Sequence, residues 1–338
     1  MVEKINPLNY PGWDGLVASH PNLSFFHGSA WAKVLVESYG FTPNYFAIER
    51  AVLPLMEVDS WLTGRRGIGL PFTDDCEPLG ADRESLQKLF QAAVEFGKIR
   101  RWKYIECRGG RKLFGNVPAS LSFYSHRLEL AADEAQLLKN MDGSARRAIR
   151  KAENEGVTVE ISQSLTALRD FYLLHCLTRR RHGLPPPPFS FFENIHRHIM
   201  SQDLGMVAVA SHHGRKIAAS VYFFNGGRAI YKYGASEMAW QALRPSNLVM
   251  WTAMKWLAQR GANSLHLGKT ALANEGLRRF KLTLGATEEK IEYVKYDLKR
   301  QAFITDTDAI AGWHNRVFRV MPVVAARMVG GILYRHWA

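Results

Sequence analysis

The feature that most limits the fold of this chain is a run of three apolar, strand-like segments joined by short turns: Met206–Ala210, Ile217–Phe224 and Ala229–Gly234. Short turns make neighbouring strands antiparallel, because a parallel pair needs a crossover of a dozen residues or more. An alternation then follows, with Ser246–Arg260 as helix, Ser264–Leu267 as strand, Asn274–Leu282 as helix and Glu288–Tyr296 as strand. An antiparallel meander joined to helical crossovers makes a mixed sheet with helices on its faces. The expected class is therefore α/β, with an α+β mixed sheet.

Upstream of the meander, Val157–Ile161 reads as a strand and Leu165–Arg181 as a helix. A loop carrying Pro185–Pro188 and a short helix near Phe191–Met200 come next. The first half shows a fainter version of the same order. A helix is expected at Gly28–Gly40, strands at Tyr45–Glu49 and Val52–Val58, and loops at Gly64–Gly69 and Asp74–Gly80. Asp82–Lys98 carries Leu86, Leu89, Phe90 and Val94 at helical spacing. Strands follow at Trp102–Cys107 and Ser120–Leu130. A length of 338 residues accommodates two compact domains. We place them at 1–143 and 144–300, with a helical tail over 301–338 packed on the core or on a membrane surface.

A basic helix opens the second domain. Arg146 and Arg150, and likewise Arg147 and Lys151, are i,i+4 neighbours. Asp142 or Ser144 can cap its start and Gly156 can end it. Crowded cations repel unless an anion lies between them, and arginine forks suit phosphate oxygens. A solvated face partly neutralised by Glu153 and Glu155 is the alternative. In the strand Ala229–Gly234, alternation sends Tyr231 and Tyr233 to one face. There a phenol could orient an amine or protonate a leaving atom. Two core tyrosines with satisfied hydroxyls would also fit.

The formal net charge is +13. That excess attracts anions, whether nucleic acid, phosphorylated sugars or an acidic membrane surface. Cys76, Cys107 and Cys176 are widely spaced with no CxxC pair, so reduced thiols in a cytoplasmic protein are expected. The first ten residues do not read as a signal peptide. No stretch approaches the ~20 apolar residues of a bilayer span. Membrane contact would be peripheral, at the inner face. From Ala309 onward there is no Asp or Glu, and Val317, Met321, Val324, Met328 and Ile332 share a helical stripe away from Arg316, Arg319 and Arg327. A basic amphipathic helix of this kind can lie in a membrane interface or dock on the core with its arginines solvated. Pro322 is expected to kink or split it, and Gly330–Gly331 to end it. His196 with His198 and His212 with His213 lack a third ligand at suitable spacing, so no metal is expected. The chain also lacks a Gly-x-Ser-x-Gly elbow, a P-loop and a GxGxxG after a strand.

Six segments together resemble the Fem family of peptidoglycan aminoacyltransferases and their GNAT-like relatives. They are Phe25-Phe26-His27 with Trp31; Leu70 to Leu79, including Asp74-Asp75; Ser144 to Ala152 with Gly156-Val157; Tyr231 to Ser236; Arg244-Pro245-Ser246-Asn247 leading to Trp251; and Gly276-Leu277-Arg278-Arg279-Phe280-Lys281 with Gly285-Ala286. The chain looks closest to the Fem-like proteins found with exosortase and exopolysaccharide genes. The resemblance implies a tandem GNAT-like fold, with a cleft for an acyl donor and an amine acceptor and no tightly bound cofactor. It implies a substrate-binding role for Trp31, Asp75, Arg146, Arg147, Arg150, Lys151, Ser236, Arg244, Arg278 and Phe280, and a catalytic one for Tyr231, Tyr233 and Lys281. In the family the Phe-Lys pair lies by the donor channel, so Lys281 would stabilise charge near the scissile ester. Lys281→Ala is then expected to cut turnover with the fold intact.

Acetyl-CoA-dependent GNATs carry a glycine-rich loop that holds the CoA pyrophosphate at a helix N-terminus. Here Ser236–Asn247 has no glycine, and it places Trp240 and Leu243 where phosphate would approach. Aminoacyl-tRNA and acyl-CoA both remain open as donors. The acceptor would be an amine on a nucleotide- or lipid-linked sugar or peptide of the cell envelope. A non-catalytic anion- or membrane-binding component of an envelope assembly is the rival reading.

Overall fold

The computed structural model describes residues 1–80, 82–305 and 314–337; the start of the expected tail, 306–313, lies outside them. By compactness the chain divides into two units. The first is Met1–Phe123 with Lys290–Ile310 and Arg335–Ala338; the second is Tyr124–Glu289 with Ala311–Tyr334.

The first unit contains β1 (Glu3–Ile5), α1 (Trp13–Ala18), α2 (Ser29–Tyr39), β2 (Thr42–Pro43), β3 (Tyr45–Ile48), β4 (Ala51–Leu53), β5 (Met56–Val58), β6 (Arg66–Ile68), α3 (Arg83–Ile99) and β7 (Tyr104–Arg108). Strands β1, β3 and β4 form one antiparallel sheet. Strand β5 pairs antiparallel with β2 and β6, and β6 runs parallel to β7. Helix α3 starts where the Asp82 carboxylate accepts the Ser85 N–H at 2.7 Å, and it buries Leu86, Leu89 and Val94. Two expectations change here. The segment expected as one strand over Val52–Val58 is two strands separated by Pro54, whose missing N–H breaks the ladder. The expected loop Gly64–Gly69 contains β6. Its glycine is a packing device, because a Cβ on Gly67 would lie 2.3 Å from the Trp102 ring.

The chain enters the second unit along β8 (Leu121–Glu129) and continues through α4 (Glu134–Asn140), α5 (Gly143–Asn154), β9 (Thr158–Ser162), α6 (Leu165–Arg181), α7 (Phe189–His198), β10 (Gly205–His212), β11 (Arg215–Asn225), β12 (Arg228–Ser236), α8 (Pro245–Gln259), β13 (Ser264–Ala271) and α9 (Glu275–Thr283). Strand β14 (Thr287–Asp297) then carries the chain back, and β15 (Ala302–Ile304) pairs with its end. The meander is as expected: β9, β10, β11 and β12 are antiparallel, and β13 joins β12 in parallel. In β10, Met206, Ala208 and Ala210 face the core under α5 and α8, while Val207 and Val209 point the other way. All five are buried, so both faces of the sheet are covered. Helix α8 is apolar nearly all round, from Leu248 to Leu257, because it is wedged between β10–β11 and α5.

The last elements are α10 (His314–Val320) and α11 (Val323–Leu333), divided at Pro322 as expected. The glycine pair Gly330–Gly331 does not end the helix. Gly330 lies within it, and a Cβ there would come 2.0 Å from the Pro186 carbonyl oxygen. It is the contact that seats α11 on the proline loop.

Candidate functional site

In the second unit, β12 and β13 pair only from Arg228↔Ser264 to Ile230↔His266. Yet β12 continues to Ser236 and β13 to Ala271. Past Ile230 and His266 the parallel neighbours therefore part, leaving a wedge between two strands of one sheet. A β-bulge lies at the same level. Val221 faces Tyr233 while Tyr222 faces Tyr231, so Lys232 is the extra residue in β12. A bulge interrupts the ladder and turns backbone groups away from their partners.

The bulge corrects the tyrosine expectation. Directly paired residues share a face, and Val221 and Tyr222 are adjacent, so Tyr231 and Tyr233 lie on opposite faces. Tyr231 joins the core beneath α8, its ring tilted against that of Tyr222 at 5.6 Å. Burial raises its phenol pKa, with a Ser220 hydrogen bond opposing. Its hydroxyl closes over Gly234, where a Cβ would come within 1.7 Å of it. Tyr233 instead meets Phe171, His175 and Phe192 of α6 and α7. Burial, with the Arg179 charge second, pushes His175 down to about 3, so this ring is neutral. Ser236 ends β12 tied to α6, its N–H donating to Thr178 Oγ1 at 3.3 Å.

The β13 side of the wedge is fixed by side chains from three elements. Gly268 adopts φ +71°, which an L side chain rarely takes. Its N–H donates to His266 Nδ1 at 3.2 Å, so the imidazole proton is on Nε2, which donates to Ser125 Oγ at 2.7 Å. The Lys281 ammonium donates to the carbonyls of Gly268 at 2.8 Å and Lys269 at 3.3 Å. Lys281 is only 2% exposed. It ties α9 to the strand bounding the wedge. Phe280 is half-buried against the same core.

Beside this tie lies a cluster that sequence reasoning missed. His126 is 0% exposed, and its Nε2 donates to Glu288 Oε2 at 2.9 Å. Among the described residues its Nδ1 has no hydrogen-bond partner. Burial lowers its pKa, and the Lys281 charge lowers it further. Arg278 grips Glu288 through Nε at 2.8 Å and a terminal nitrogen at 2.9 Å, and its guanidinium lies 4.4 Å from the Tyr124 ring centroid. These hydrogen bonds hold the Glu288 carboxyl below its usual range. Arg278 is thereby committed to Glu288. Ser125 and His126 carry the alternation of the expected strand Ser120–Leu130, but nothing local links them to His266 or Glu288.

The remaining candidates fall in separate places. Asp142 caps α5, its carboxylate accepting the Ser144 N–H at 2.6 Å, and Gly156 follows the helix with φ +75°. Arg146, Arg147, Arg150 and Lys151 are all exposed, and among the described residues they form no ion pair. The Asp142 N–H donates to the Thr283 carbonyl at 2.9 Å, so the basic helix begins where α9 ends. Arg244 caps α8 with φ 59°, preceded by a 3-10 turn over Met238–Leu243. In that turn Trp240 lies tilted against His212 at 5.2 Å and Leu243 packs on the core. Trp31 is 0% exposed in the core of the first unit, against Phe26. Asp75, also in the first unit, sits over Gly109, where a Cβ would come within 2.1 Å of its Oδ1. Among the described residues no three His, Cys, Asp or Glu side chains gather as a metal set.

Residues 139–290 match the acetyltransferase (GNAT) domain family, a span that falls almost wholly in the second unit. No curated protein matches the chain by sequence. Among solved structures, FemX is similar over 89% of this chain and 98% of its own, at a TM-score of 0.68 and 17% identity. A tandem GNAT protein from the clavulanic acid biosynthesis pathway is similar over 88% and 99%, at 0.54 and 10%. The C-terminal domain of a putative lysylphosphatidylglycerol synthetase from Agrobacterium fabrum is similar over 78% and 86%, at 0.50 and 16%. The fold is tandem GNAT-like, and the chain is an acyltransferase.

Proposed function

We propose that this acyltransferase moves an acyl or aminoacyl group onto an amine of a cell-envelope precursor, at the wedge between β12 and β13. The observation that carries the reading is the coincidence of that parting with the Lys232 bulge. A carbonyl inserted there would lie against backbone N–H groups of β12 beyond its last pairing with β13. The acceptor amine attacks the carbonyl carbon, the oxyanion forms against those donors, and the ester oxygen or thioester sulfur leaves with a proton. No covalent enzyme intermediate is needed. Positioning supplies much of the acceleration.

Lys281 would act here in two ways. Its ammonium orients the Gly268–Lys269 backbone, and its charge lowers the energy of the oxyanion in a site from which water is excluded. The Arg146–Lys151 face, free of carboxylate partners among the described residues, would take the diphosphate of a nucleotide- or lipid-linked acceptor.

The 3-10 turn at Met238–Leu243 favours an aminoacyl ester, as in aminoacyl-tRNA, over a CoA thioester. Trp240 and Leu243 occupy the place where glycines would admit a pyrophosphate. Acyl-CoA is the second reading, favoured by the acetyltransferase match. The deciding experiment is a single-turnover assay with aminoacyl-tRNA and with acetyl-CoA, each against amine-bearing diphosphate-sugar acceptors, read by mass spectrometry. Transfer from aminoacyl-tRNA is expected. Absence of amide product with either donor sinks the proposal.

A further inference from the structure

Helices α10 and α11 divide sharply by face. Phe318, Ala326 and Gly330 turn inward, and Gly330 rests on the Pro186 carbonyl. The opposite side is apolar and open: Val317 is 42% exposed, Val320 83%, Val324 69%, Met328 70% and Ile332 63%. Val324, Met328 and Ile332 recur every fourth residue, so they form one ridge. Docking on the proline loop has thus left outside the side chains that an aqueous surface least favours. A contiguous apolar face of this kind marks an interaction site.

Its surroundings decide the occupant. Arg316, Arg319 and Arg327 are exposed on the same two helices. Helix α6, packed against both, ends in Arg179, Arg180 and Arg181, and burial, then the charges of Arg181, Arg179 and Arg319, lower the pKa of His182. From Ala309 to the C-terminus there is no carboxylate side chain. No described helix is long and apolar enough to cross a bilayer, so the face would lie on the surface. A protein partner would need acids to meet these arginines and apolar side chains to meet the ridge. An anionic bilayer offers both across one plane, with phosphates above acyl chains.

We infer that α10 and α11 form a docking face for an anionic lipid surface, with the ridge Val324, Met328 and Ile332 entering the acyl boundary and Arg316, Arg319 and Arg327 at the level of the phosphates. The inference is independent of the acyl-transfer reading, since docking can fail while a soluble acceptor is still acylated.

The test is co-sedimentation of the full chain with phosphatidylcholine vesicles, with and without phosphatidylglycerol. Binding is expected only to the anionic vesicles and should weaken with salt. Met328→Glu should lower partition by about tenfold. Arg316→Gln should lower it by about fivefold, the equivalent of ~1 kcal/mol per cation. Both side chains are exposed, so thermal unfolding should match the parent and separate docking from folding. Equal binding to neutral vesicles, no binding to anionic ones, or unchanged binding by Met328→Glu overturns the inference. So does a lipid-free dimer that Met328→Glu dissolves, because the ridge would then belong to a second copy.

Discussion

Lys281→Met separates structure from chemistry at the wedge better than Lys281→Ala does. The lysine side chain is 2% exposed, so alanine removes buried methylenes as well as charge. Three methylenes at ~0.8 kcal/mol each come to about 2.4 kcal/mol before any cavity is counted. Methionine keeps the unbranched length and loses only the ammonium. The bond to Gly268 O at 2.8 Å is charge-assisted and worth about 1.5–3 kcal/mol, and that to Lys269 O at 3.3 Å is weaker. Against this stands the cost of keeping an ammonium from water, several kcal/mol, which methionine does not incur. The opposing terms leave a net loss of about 1–2 kcal/mol for Lys281→Met and roughly 3–5 kcal/mol for Lys281→Ala. If the charge stabilises the oxyanion, its removal costs about 2.7–4 kcal/mol in the transition state, or roughly 10²- to 10³-fold in turnover. Urea unfolding measures the first quantity and single-turnover transfer at saturating donor the second. A Lys281→Met variant that loses the expected stability yet transfers within about threefold of the parent would reduce Lys281 to a tie between α9 and β13.

Glu57 in the first unit accepts from Arg100 at 2.6 Å and from the Trp102 indole at 2.6 Å, with its side chain 4% exposed. Burial alone would raise its pKa, but these hydrogen bonds outweigh burial and lower it. A depressed carboxyl stabilises the fold above its unfolded pKa of about 4.3 and loses that contribution as pH falls through the folded value. Glu57→Gln should therefore cost about 2–4 kcal/mol at neutral pH and flatten the loss of stability below about pH 4.3, as read by urea titrations at several pH values; a parent-like acid slope counts against it. Gly330→Ala brings a methyl 2.0 Å from Pro186 O, so α11 must shift at a cost of about 1–3 kcal/mol. Amide exchange should then speed up over 323–333 and stay unchanged in β10–β12. The exposed pair Arg146→Ala with Arg150→Ala should leave stability within about 0.5 kcal/mol and weaken binding of a diphosphate sugar by calorimetry; unchanged affinity removes the phosphate role.

What could be read from the sequence, and what could not, divides along physical lines. Helix α6 spans Leu165–Arg181, the bounds expected, because Ser164 caps it by accepting the Ala167 N–H and the period is unbroken. The meander was legible because alternation and turn chemistry are local signals. Glycine misled twice, at Gly67 and at Gly330, since its use there is to let a ring or a carbonyl approach rather than to turn the chain. The tyrosine pair misled because alternation assumes an unbroken ladder, and the bulge at Lys232 is set by pairing with β11. The resemblance picks out Lys281 beside Phe280, but nothing local among Arg278, Arg279 and Phe280 shows that it is buried. Its bonds to the β13 carbonyls of Gly268 and Lys269 span 13 and 12 residues. The His266 and His126 contacts span 141 and 162 residues, beyond any local pattern.

Part of the basic excess can now be located. Arg65, Arg100, Arg108, Arg111, Arg215, Arg260 and Arg278 are each matched by a carboxylate. Such pairs cancel at a distance and add little to any long-range field. Among the described residues, the α5 cations and the arginines of α10 and α11 have no carboxylate opposite them. These are two of the places where cations gather without a carboxylate to cancel their field. One begins where α9 ends, at the Asp142–Thr283 hydrogen bond, and leads to the helix whose lysine holds the wedge. The other flanks an apolar ridge left exposed among the described residues. A diphosphate suits the first, where forks without grease select a polar anion. The second combines charge with exposed apolar surface and selects an amphiphile. If both assignments hold, a charge reversal on α5 should alter acceptor affinity without changing vesicle binding, and one on α10 should do the opposite.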